Sequence, residues 1–287
     1  MPKIEKFSRS IKNSEIKKYL SDLDLYGFTK INNFLTKKSV KFFLKNINDS
    51  YNKINKNKKF VYKGTPKRNI KDKIVYSLFK KNKSYIDLIS DESIIKICMK
   101  KLNDPYYNFL PKNVPNYTLK YYNARSSGNK LDLHIDSNIP FPGERTFMMQ
   151  LAFVLEKSNK KNGCTVVVPG SHRSGQYTDR SYKDLYEINA NPGDLVMWDS
   201  RLWHGTHENY SNKSRWSIIA TMGMWWVMPA MDIVRSIDNS IYKKCTKKQK
   251  QLLGFCSIPP INEFERNNTK CGYDFLKNNV YDYKINN

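Results

Sequence analysis

The chain is poor in the residues that build metal or disulfide frameworks, and it has no long apolar run. Its 287 residues include only 4 histidines and 5 cysteines, and no two cysteines form a Cys-x-x-Cys pair. No stretch approaches the ~18 apolar residues that a membrane span needs, and the first residues lack the apolar core of a secretion signal. These absences exclude a zinc-ribbon or disulfide-rich class and favour a cytoplasmic protein with free thiols.

Acidic residues are also scarce, because 26 Asp and Glu stand against 50 Lys and Arg and give a formal charge of +24. A positive field of this size attracts nucleic acid, anionic lipid and anionic metabolites. The excess lysine is spread with asparagine and isoleucine along the chain, as a bias toward AT-rich codons would also produce. The densest basic stretch is residues 51–73. The charge mildly favours an anionic small-molecule substrate and leaves nucleic acid as an alternative partner.

Two of the 4 histidines stand in a pattern that is typical of a metal centre. The segment 131–136 reads LDLHID, and on an extended strand its His134 and Asp136 point to the same side. A second imidazole, His204, follows a predicted buried strand much later in the chain. Two histidines and one carboxylate form the face that non-haem iron(II) oxygenases use, with three coordination positions left open. We therefore expect His134, Asp136 and His204 to bind iron.

An arginine follows the second histidine at a spacing that would let it reach the metal cavity. Arg215 comes eleven residues after His204, so neighbouring antiparallel strands would aim its guanidinium into the metal cavity. The planar, permanently charged guanidinium group suits one carboxylate of a dicarboxylate whose other end binds the metal. Thr206 shares the strand face of His204 and is expected to add a hydroxyl group. Gln150, a polar residue in a predicted core strand, is expected to face the same cavity.

At this point the chain resembles the phytanoyl-CoA dioxygenase family of iron(II)- and 2-oxoglutarate-dependent oxygenases. The similar blocks follow one another in the family's order: Tyr26–Leu35, Asn162–His172, Pro192–Asp194, His204–Arg215 and Gln249–Gly254. The resemblance implies that His134, Asp136 and His204 bind Fe(II) and that Arg215 anchors 2-oxoglutarate. It also implies that Thr206 assists Arg215 and that Asn123 touches the co-substrate.

The predicted fold is mainly β with flanking helices, built on a double-stranded β-helix of the jelly-roll or cupin-like type, as the resemblance also implies. Helices are expected at residues 11–26 and 36–55, and at 85–102 with an interruption near Asp91. The predicted strands are Thr118–Tyr122, Leu131–His134, Phe147–Leu155, Cys164–Val168, Asp194–Trp198, Trp203–Thr206 and Arg215–Val227. We expect one oxygenase domain over 1–287, with a mostly helical part (1–116), the β core (117–228) and a C-terminal extension (229–287).

Several residues near these motifs are assigned plainer roles. His172, in a Pro-Gly-Ser-His turn, is expected to bond locally, and His207 to face solvent. Trp203, Trp225 and Trp226 are expected in the core rather than in the pocket. The Pro-rich loop 137–145 directly follows the metal motif and is expected to form part of a substrate lid.

The predicted activity is hydroxylation of a C–H bond in a small metabolite by Fe(II), 2-oxoglutarate and O2, with release of succinate and CO2. Desaturation and ring formation remain open, as does the identity of the substrate. Two alternatives belong to other classes: a cupin-like metalloenzyme that does not use 2-oxoglutarate, and a basic nucleic-acid-binding protein on an oxygenase fold. Against a nucleic-acid demethylase, Thr221 stands where such enzymes place a second arginine.

Overall fold

The computed structural model describes residues 5–56, 73–107, 110–126, 128–177, 185–211 and 213–258. Their strands are β1 (Phe28–Ile31), β2 (Lys73–Tyr76), β3 (Tyr117–Ser126), β4 (Leu131–His134), β5 (Met148–Val154), β6 (Thr165–Val167), β7 (Tyr186–Ile188), β8 (Leu195–Asp199), β9 (His204–Thr206) and β10 (Ser217–Met224). The α-helices are α1 (Asn13–Tyr26), α2 (Lys37–Lys56), α3 (Lys83–Ile89), α4 (Glu92–Leu102), α5 (Ile233–Ser236), α6 (Asn239–Tyr242) and α7 (Lys247–Leu252). No helix among these residues is long and apolar enough to cross a membrane.

These elements form two compact units. Among the described residues, one unit, here the sheet unit, comprises 7–56, 73–76, 122–126, 128–177, 185–211 and 213–219. The other, here the helical unit, comprises 5–6, 77–107, 110–121 and 220–258. The single-domain organisation expected from the sequence stays a prediction.

The sheet unit is built from two antiparallel sheets whose apolar faces pack together. In one sheet β1, β8 and β5 are neighbours in that order, and the other sheet has the order β4-β9-β6-β7. Strand alternation turns every second side chain inward. The shared core therefore takes its residues from both sheets: Ala152, Val154, Val196 and Trp198 from the first, Val167 and Ile188 from the second. The mainly β, cupin-like fold expected from the sequence is confirmed.

The helix interruption expected near Asp91 has a local cause. Asp91 is the N-cap of α4, and its carboxylate accepts a hydrogen bond from the backbone N–H of Ser93 at 2.9 Å. A side chain that satisfies a free N–H at a helix start favours a new helix over continuation of the old one. The predicted helix over 85–102 is therefore two helices, α3 and α4.

In the helical unit, α7 is held by buried polar contacts. The Gln249 side-chain amide donates to Asp87 Oδ1 at 2.7 Å and to Ser90 Oγ at 2.8 Å, while Gln251 donates to the carbonyl of Tyr117. Buried amides need such partners, so this glutamine-rich segment ties α7 to α3 and β3.

The dense basic stretch at residues 51–73 lies for the most part outside the described residues, which resume at Lys73.

Candidate metal centre

The two predicted histidine ligands meet across neighbouring strands of the sheet β4-β9-β6-β7. His134, the last residue of β4, is the direct register partner of His204, the first residue of β9. Their ring centroids are 4.3 Å apart. Directly opposed residues of an antiparallel pair share one face of a sheet. Two segments some 70 residues apart in the sequence thus bring their imidazoles together.

Asp136 completes this group from the turn after β4. Its backbone N–H donates to the carbonyl of Ser200 at 2.8 Å, which ties the turn to the segment before β9. Its carboxylate Oδ1 lies 3.7 Å from His134 Nε2, and Oδ2 lies 3.3 Å from His204 Nε2. The three donor atoms fall within 4.8 Å of one another. The separation allows all three groups to reach one ion.

Both imidazoles are oriented by the backbone. His134 Nδ1 lies 2.9 Å from the carbonyl of Asp132, and His204 Nδ1 lies 2.9 Å from the carbonyl of Leu202. A carbonyl accepts from an N–H, so each contact favours the tautomer that carries its proton on Nδ1. That tautomer turns the lone pair of Nε2 toward Asp136, which is the usual way a protein prepares a histidine ligand.

The surroundings of His204 favour the neutral form of its imidazole. Burial lowers the pKa of His204, and the nearby His134 lowers it further, while the Asp136 carboxylate opposes both effects. Only the neutral ring binds a metal ion. The side chain of His204 is 7% exposed, whereas those of His134 and Asp136 are 35% and 27% exposed. The group is therefore shielded from solvent on the side of His204 and accessible to solvent on the side of His134 and Asp136.

Alternation along β4 separates this group from an apolar cluster on the other face. Leu133 and Ile135 pack with Val166, Val168 and Trp203, away from the histidines. Trp203 is thus a core residue, as expected. In the helical unit, the indole of Trp225 lies against the ring of Tyr107, with centroids 4.6 Å apart and the ring planes tilted by 35°. Trp226 differs from the expectation, because it is half exposed.

Arg215 is buried just before β10. Its backbone N–H donates to Ser126 Oγ at 2.8 Å. Among the described residues its guanidinium Nε has no hydrogen-bond partner, and no carboxylate lies within ion-pair distance. Burial lowers the pKa of Arg215 to about 10, with a smaller lowering from Arg125 and an opposing effect from Cys164. A buried cation without a counter-charge is costly, so this position suits an anionic ligand.

The other three predicted pocket residues have different surroundings. Asn123 is buried on β3, and within the described chain its Oδ1 lacks a hydrogen-bond partner. Gln150 is buried on β5 opposite Trp198, whose ring centroid lies 5.4 Å from that of His204. Register partners share a face, so Gln150 lies on the face that turns toward the histidines. Thr206 Oγ1 accepts a hydrogen bond from the backbone N–H of Leu131 at 3.2 Å.

The sequence reasoning missed a buried ion pair beside the metal motif. Arg201 donates from Nε and one terminal nitrogen to Asp199 at 3.0 and 2.8 Å, and both side chains are buried. The other terminal nitrogen donates to the carbonyls of Phe141 and Gly143, at 3.4 and 2.8 Å. The pair therefore fixes the loop 137–145 that follows Asp136. The sequence feature that could have indicated this ion pair is the presence of Asp199 and Arg201 shortly before His204.

The two remaining histidines lie outside the group. His172 is buried in a short 3-10 helix beside Gly27, and the local hydrogen bond expected of it stays a prediction. His207 does not simply face solvent, because its Nε2 lies 3.0 Å from Glu187 Oε1 and its side chain is 30% exposed. The expectation for His207 was wrong, since a strand distant in sequence supplies its partner.

A cupin-like fold in which two histidines and an aspartate converge on one face is the architecture of a non-haem oxygenase. A model of the phytanoyl-CoA dioxygenase family matches residues 23–217, which is more than half of the chain. The chain therefore belongs to this family of dioxygenases.

Individual relatives are more distant. An uncharacterized protein of Mycobacterium tuberculosis is 28% identical over 111 residues, which cover 38% of this chain and 41% of the relative. Dioxygenase af480 of Aspergillus fumigatus is 25% identical over 141 residues, 47% of this chain and 46% of the relative. The chain thus spans less than half of either curated relative's length.

Solved structures support the fold over a larger share of the chain. HygX from Streptomyces hygroscopicus, a crystal structure with nickel, 2-oxoglutarate and hygromycin B bound, superposes with a TM-score of 0.58 and 15% identity. The match covers 74% of this chain and 88% of HygX. At this identity the likeness shows the fold.

Proposed function

We propose that this protein is an Fe(II)- and 2-oxoglutarate-dependent dioxygenase that hydroxylates a C–H bond of a small metabolite. The observation that carries the proposal is the convergence of two Nε2 atoms and one carboxylate within 4.8 Å. Family membership supports the reaction class. HygX, with nickel and 2-oxoglutarate in its crystals, supports the choice of co-substrate.

The residues present fit both groups. Two imidazoles and a carboxylate are a donor set for iron that leaves three coordination positions free. Arg215 keeps an unpartnered Nε in a buried position, so the far carboxylate of 2-oxoglutarate would supply its missing counter-charge. The partnerless Oδ1 of Asn123 marks a second buried polar position in the same unit.

Each side chain has a distinct task in this proposal. His134 and His204 present Nε2 because their Nδ1 atoms are held by backbone carbonyls. Asp136 offsets part of the metal charge, and Arg215 binds and orients the co-substrate. Gln150 and Asn123 add polar contacts, and the hydroxyl of Thr206 assists Arg215. Iron held by these residues would supply, with 2-oxoglutarate and O2, the oxidising power for hydroxylation, with succinate and CO2 as co-products.

Hydroxylation is favoured over halogenation because Asp136 occupies the position at which a halogenating enzyme needs room for a halide. The net charge of +24 favours an anionic substrate, since a positive surface concentrates anions. The open side of the group, at His134 and Asp136, is the side from which substrate approaches, and the loop 137–145 flanks it.

The test needs no knowledge of the substrate. Reduced, iron-loaded protein is incubated with 2-oxoglutarate and oxygen, and succinate is measured beside the variants His204→Ala and Arg215→Ala. Arg235, an exposed arginine paired with Asp232, provides the matched control Arg235→Ala. We expect succinate from the wild type and the control, and at least a tenfold loss in both site variants.

A binding measurement separates the two roles. Under anaerobic conditions, 2-oxoglutarate added to the Fe(II) protein should produce a metal-to-ligand absorption band in the visible range. His204→Ala should lose the band at every 2-oxoglutarate concentration, while Arg215→Ala should recover it at higher concentrations. Absence of both band and succinate in the wild type would overturn the proposal in favour of a metalloenzyme that does not use 2-oxoglutarate.

A further inference from the structure

A second group of potential metal ligands lies in the same four-stranded sheet. Cys164 directly precedes β6, Glu187 is the central residue of β7, and His207 directly follows β9. Their donor atoms also fall within 4.8 Å of one another. Thiol, carboxylate and imidazole thus converge from three separate segments of the chain.

The backbone holds the three residues in register. Val166 is the partner of both Glu187 on β7 and Gly205 on β9, and the N–H of His207 donates to the carbonyl of Cys164 at 3.0 Å. Neighbouring strands of one sheet therefore fix the spacing, and no flexible loop has to fold over to bring the donors together.

Side-chain alternation places this group on the opposite face of the sheet from His204. Cys164 stands two and four residues before Val166 and Val168, so its side chain points to the same outer face on which these valines pack. Val167, between them, packs in the core shared by the two sheets. His207 stands four residues after Trp203, which also packs on the outer face, so the two side chains point to the same side. At ~3.3 Å per residue, the backbones of His204 and His207 are roughly 10 Å apart. The two groups share no ligand.

We propose that Cys164, Glu187 and His207 form a second divalent-cation site, of the kind that takes Zn²⁺ with water as the fourth ligand. Zn²⁺ binds thiolate, imidazole and carboxylate in tetrahedral sites, and the usual bond lengths put neighbouring donors roughly 3.3–3.8 Å apart. His207 Nε2 and Glu187 Oε1 already lie 3.0 Å apart, so a small adjustment of the side chains closes the site.

The charges around the group suit exchange of a proton for a cation. Burial raises the pKa of the Cys164 thiol to about 11, and the Glu187 carboxylate contributes to this shift, while Arg215 and Lys160 oppose it. The thiol is therefore protonated without a metal, and a bound divalent ion converts it to thiolate with release of one proton. Lys160, which lies 3.1 Å from Glu187 Oε1, is 72% exposed and is free to move into solvent when the ion arrives.

Co²⁺ is the probe for this site, because only the second group contains sulfur. Metal-free protein is titrated with Co²⁺, and we expect two bound ions per chain with a sulfur-to-cobalt charge-transfer band in the near ultraviolet. Asp136→Ala should bind one ion and keep the band. Cys164→Ser should also bind one ion but lose the band, while Cys256→Ser, at a partly exposed cysteine, should resemble the wild type.

Two further variants guard against misfolding of Cys164→Ser, since Cys164 is buried. Glu187→Gln and His207→Asn change partly exposed side chains and should weaken the band-producing Co²⁺ site by at least about tenfold. A purely structural Lys160–Glu187–His207 ion network would give no sulfur band in the wild type. That result, or a band that survives Cys164→Ser, would overturn the proposal whether or not the protein turns over 2-oxoglutarate.

Discussion

Replacement of Arg201 by methionine tests whether the buried ion pair before β9 supports the candidate metal centre. Methionine keeps much of the side-chain volume, so the change removes mainly the charge and four hydrogen bonds. Two of these go to the Asp199 carboxylate and two to backbone carbonyls of the loop 137–145. The carboxylate keeps two donors, Thr146 Oγ1 at 2.8 Å and the backbone N–H of Arg201 at 2.9 Å.

The expected loss of stability follows from the burial of both partners. Removing one member of a buried ion pair costs about 3–5 kcal/mol, because the other charge stays buried without compensation. The two remaining donors to Asp199 put the expected loss near the lower end, about 3 kcal/mol. For a chain of this size that loss lowers the melting temperature by roughly 6–12 °C.

The same change should reach the metal centre through the backbone. The carbonyl of Ser200, between the two paired residues, accepts hydrogen bonds from the N–H groups of Asp136 and Ser137 at 2.8 and 3.1 Å. Groups that orient a ligand typically contribute a factor of about 10–100 in metal affinity. We therefore expect Fe(II) affinity to fall by at least about tenfold in Arg201→Met.

Urea unfolding and Fe(II) titration of the folded variant measure the two effects. Lys45→Met removes an exposed partner of Asp49 and serves as the matched control, with an expected loss of at most about 1 kcal/mol. Adding Asp199→Asn to Arg201→Met should recover part of the loss, because no charge is then left buried. A loss below about 1 kcal/mol in Arg201→Met, or a further loss in the double variant, would refute this reasoning.

Three further changes test other parts of the structure, each followed by urea unfolding. Gly27→Ala should lower the free energy of unfolding by about 1–3 kcal/mol, because Gly27 has a φ of 81° and a Cβ there would lie 2.6 Å from His172 Nδ1. An unchanged stability would contradict the local geometry. Hydrogen bonds, chiefly from Arg9, lower the pKa of Glu15 to about 2 from 4.5, so the wild type should exceed Glu15→Gln in stability above pH 4.5 and lose that advantage as the pH falls toward 2. Burial lowers the pKa of Lys120 to about 7 from 10.5. Between these two pH values the unfolded chain binds one more proton than the folded chain, so the wild type should gain stability relative to Lys120→Met as the pH rises from 7 to 10.5. A stability difference between the two proteins that does not change with pH would argue against the shift.

Strong local signals made much of the fold predictable. The strand Leu131–His134 has the predicted bounds, and helices α1 and α2 lie within a residue or two of expectation. The strands β2 and β7 and the short helices α5–α7 were missed. β7 has three residues, of which only Ile188 is buried, and so short a segment carries no readable alternation. Its pairing with β6, distant in sequence, is what makes it a strand.

The candidate metal centre was predictable because its information is largely local. His134 and Asp136 are two residues apart on one strand, and each histidine finds its orienting carbonyl two residues earlier in its own segment. The partners of Arg201 in the loop 137–145 are some 60 residues away. No periodicity in the sequence encodes such a contact, so an isolated Asp-x-Arg could not be assigned to it.

The group Cys164–Glu187–His207 shows the same limit in a stronger form. Each residue alone fits a plain role: a buried cysteine, a strand carboxylate, a histidine in a polar turn. Only the pairing of β6 with both β7 and β9 places the three on one face. A consequence is that total metal content does not measure occupancy of the candidate iron centre, since the outer face of the sheet would take up a thiophilic ion independently. Metal analysis of Asp136→Ala isolates the outer site, and analysis of Cys164→Ser isolates the inner one, so the two variants together apportion the metal between the faces.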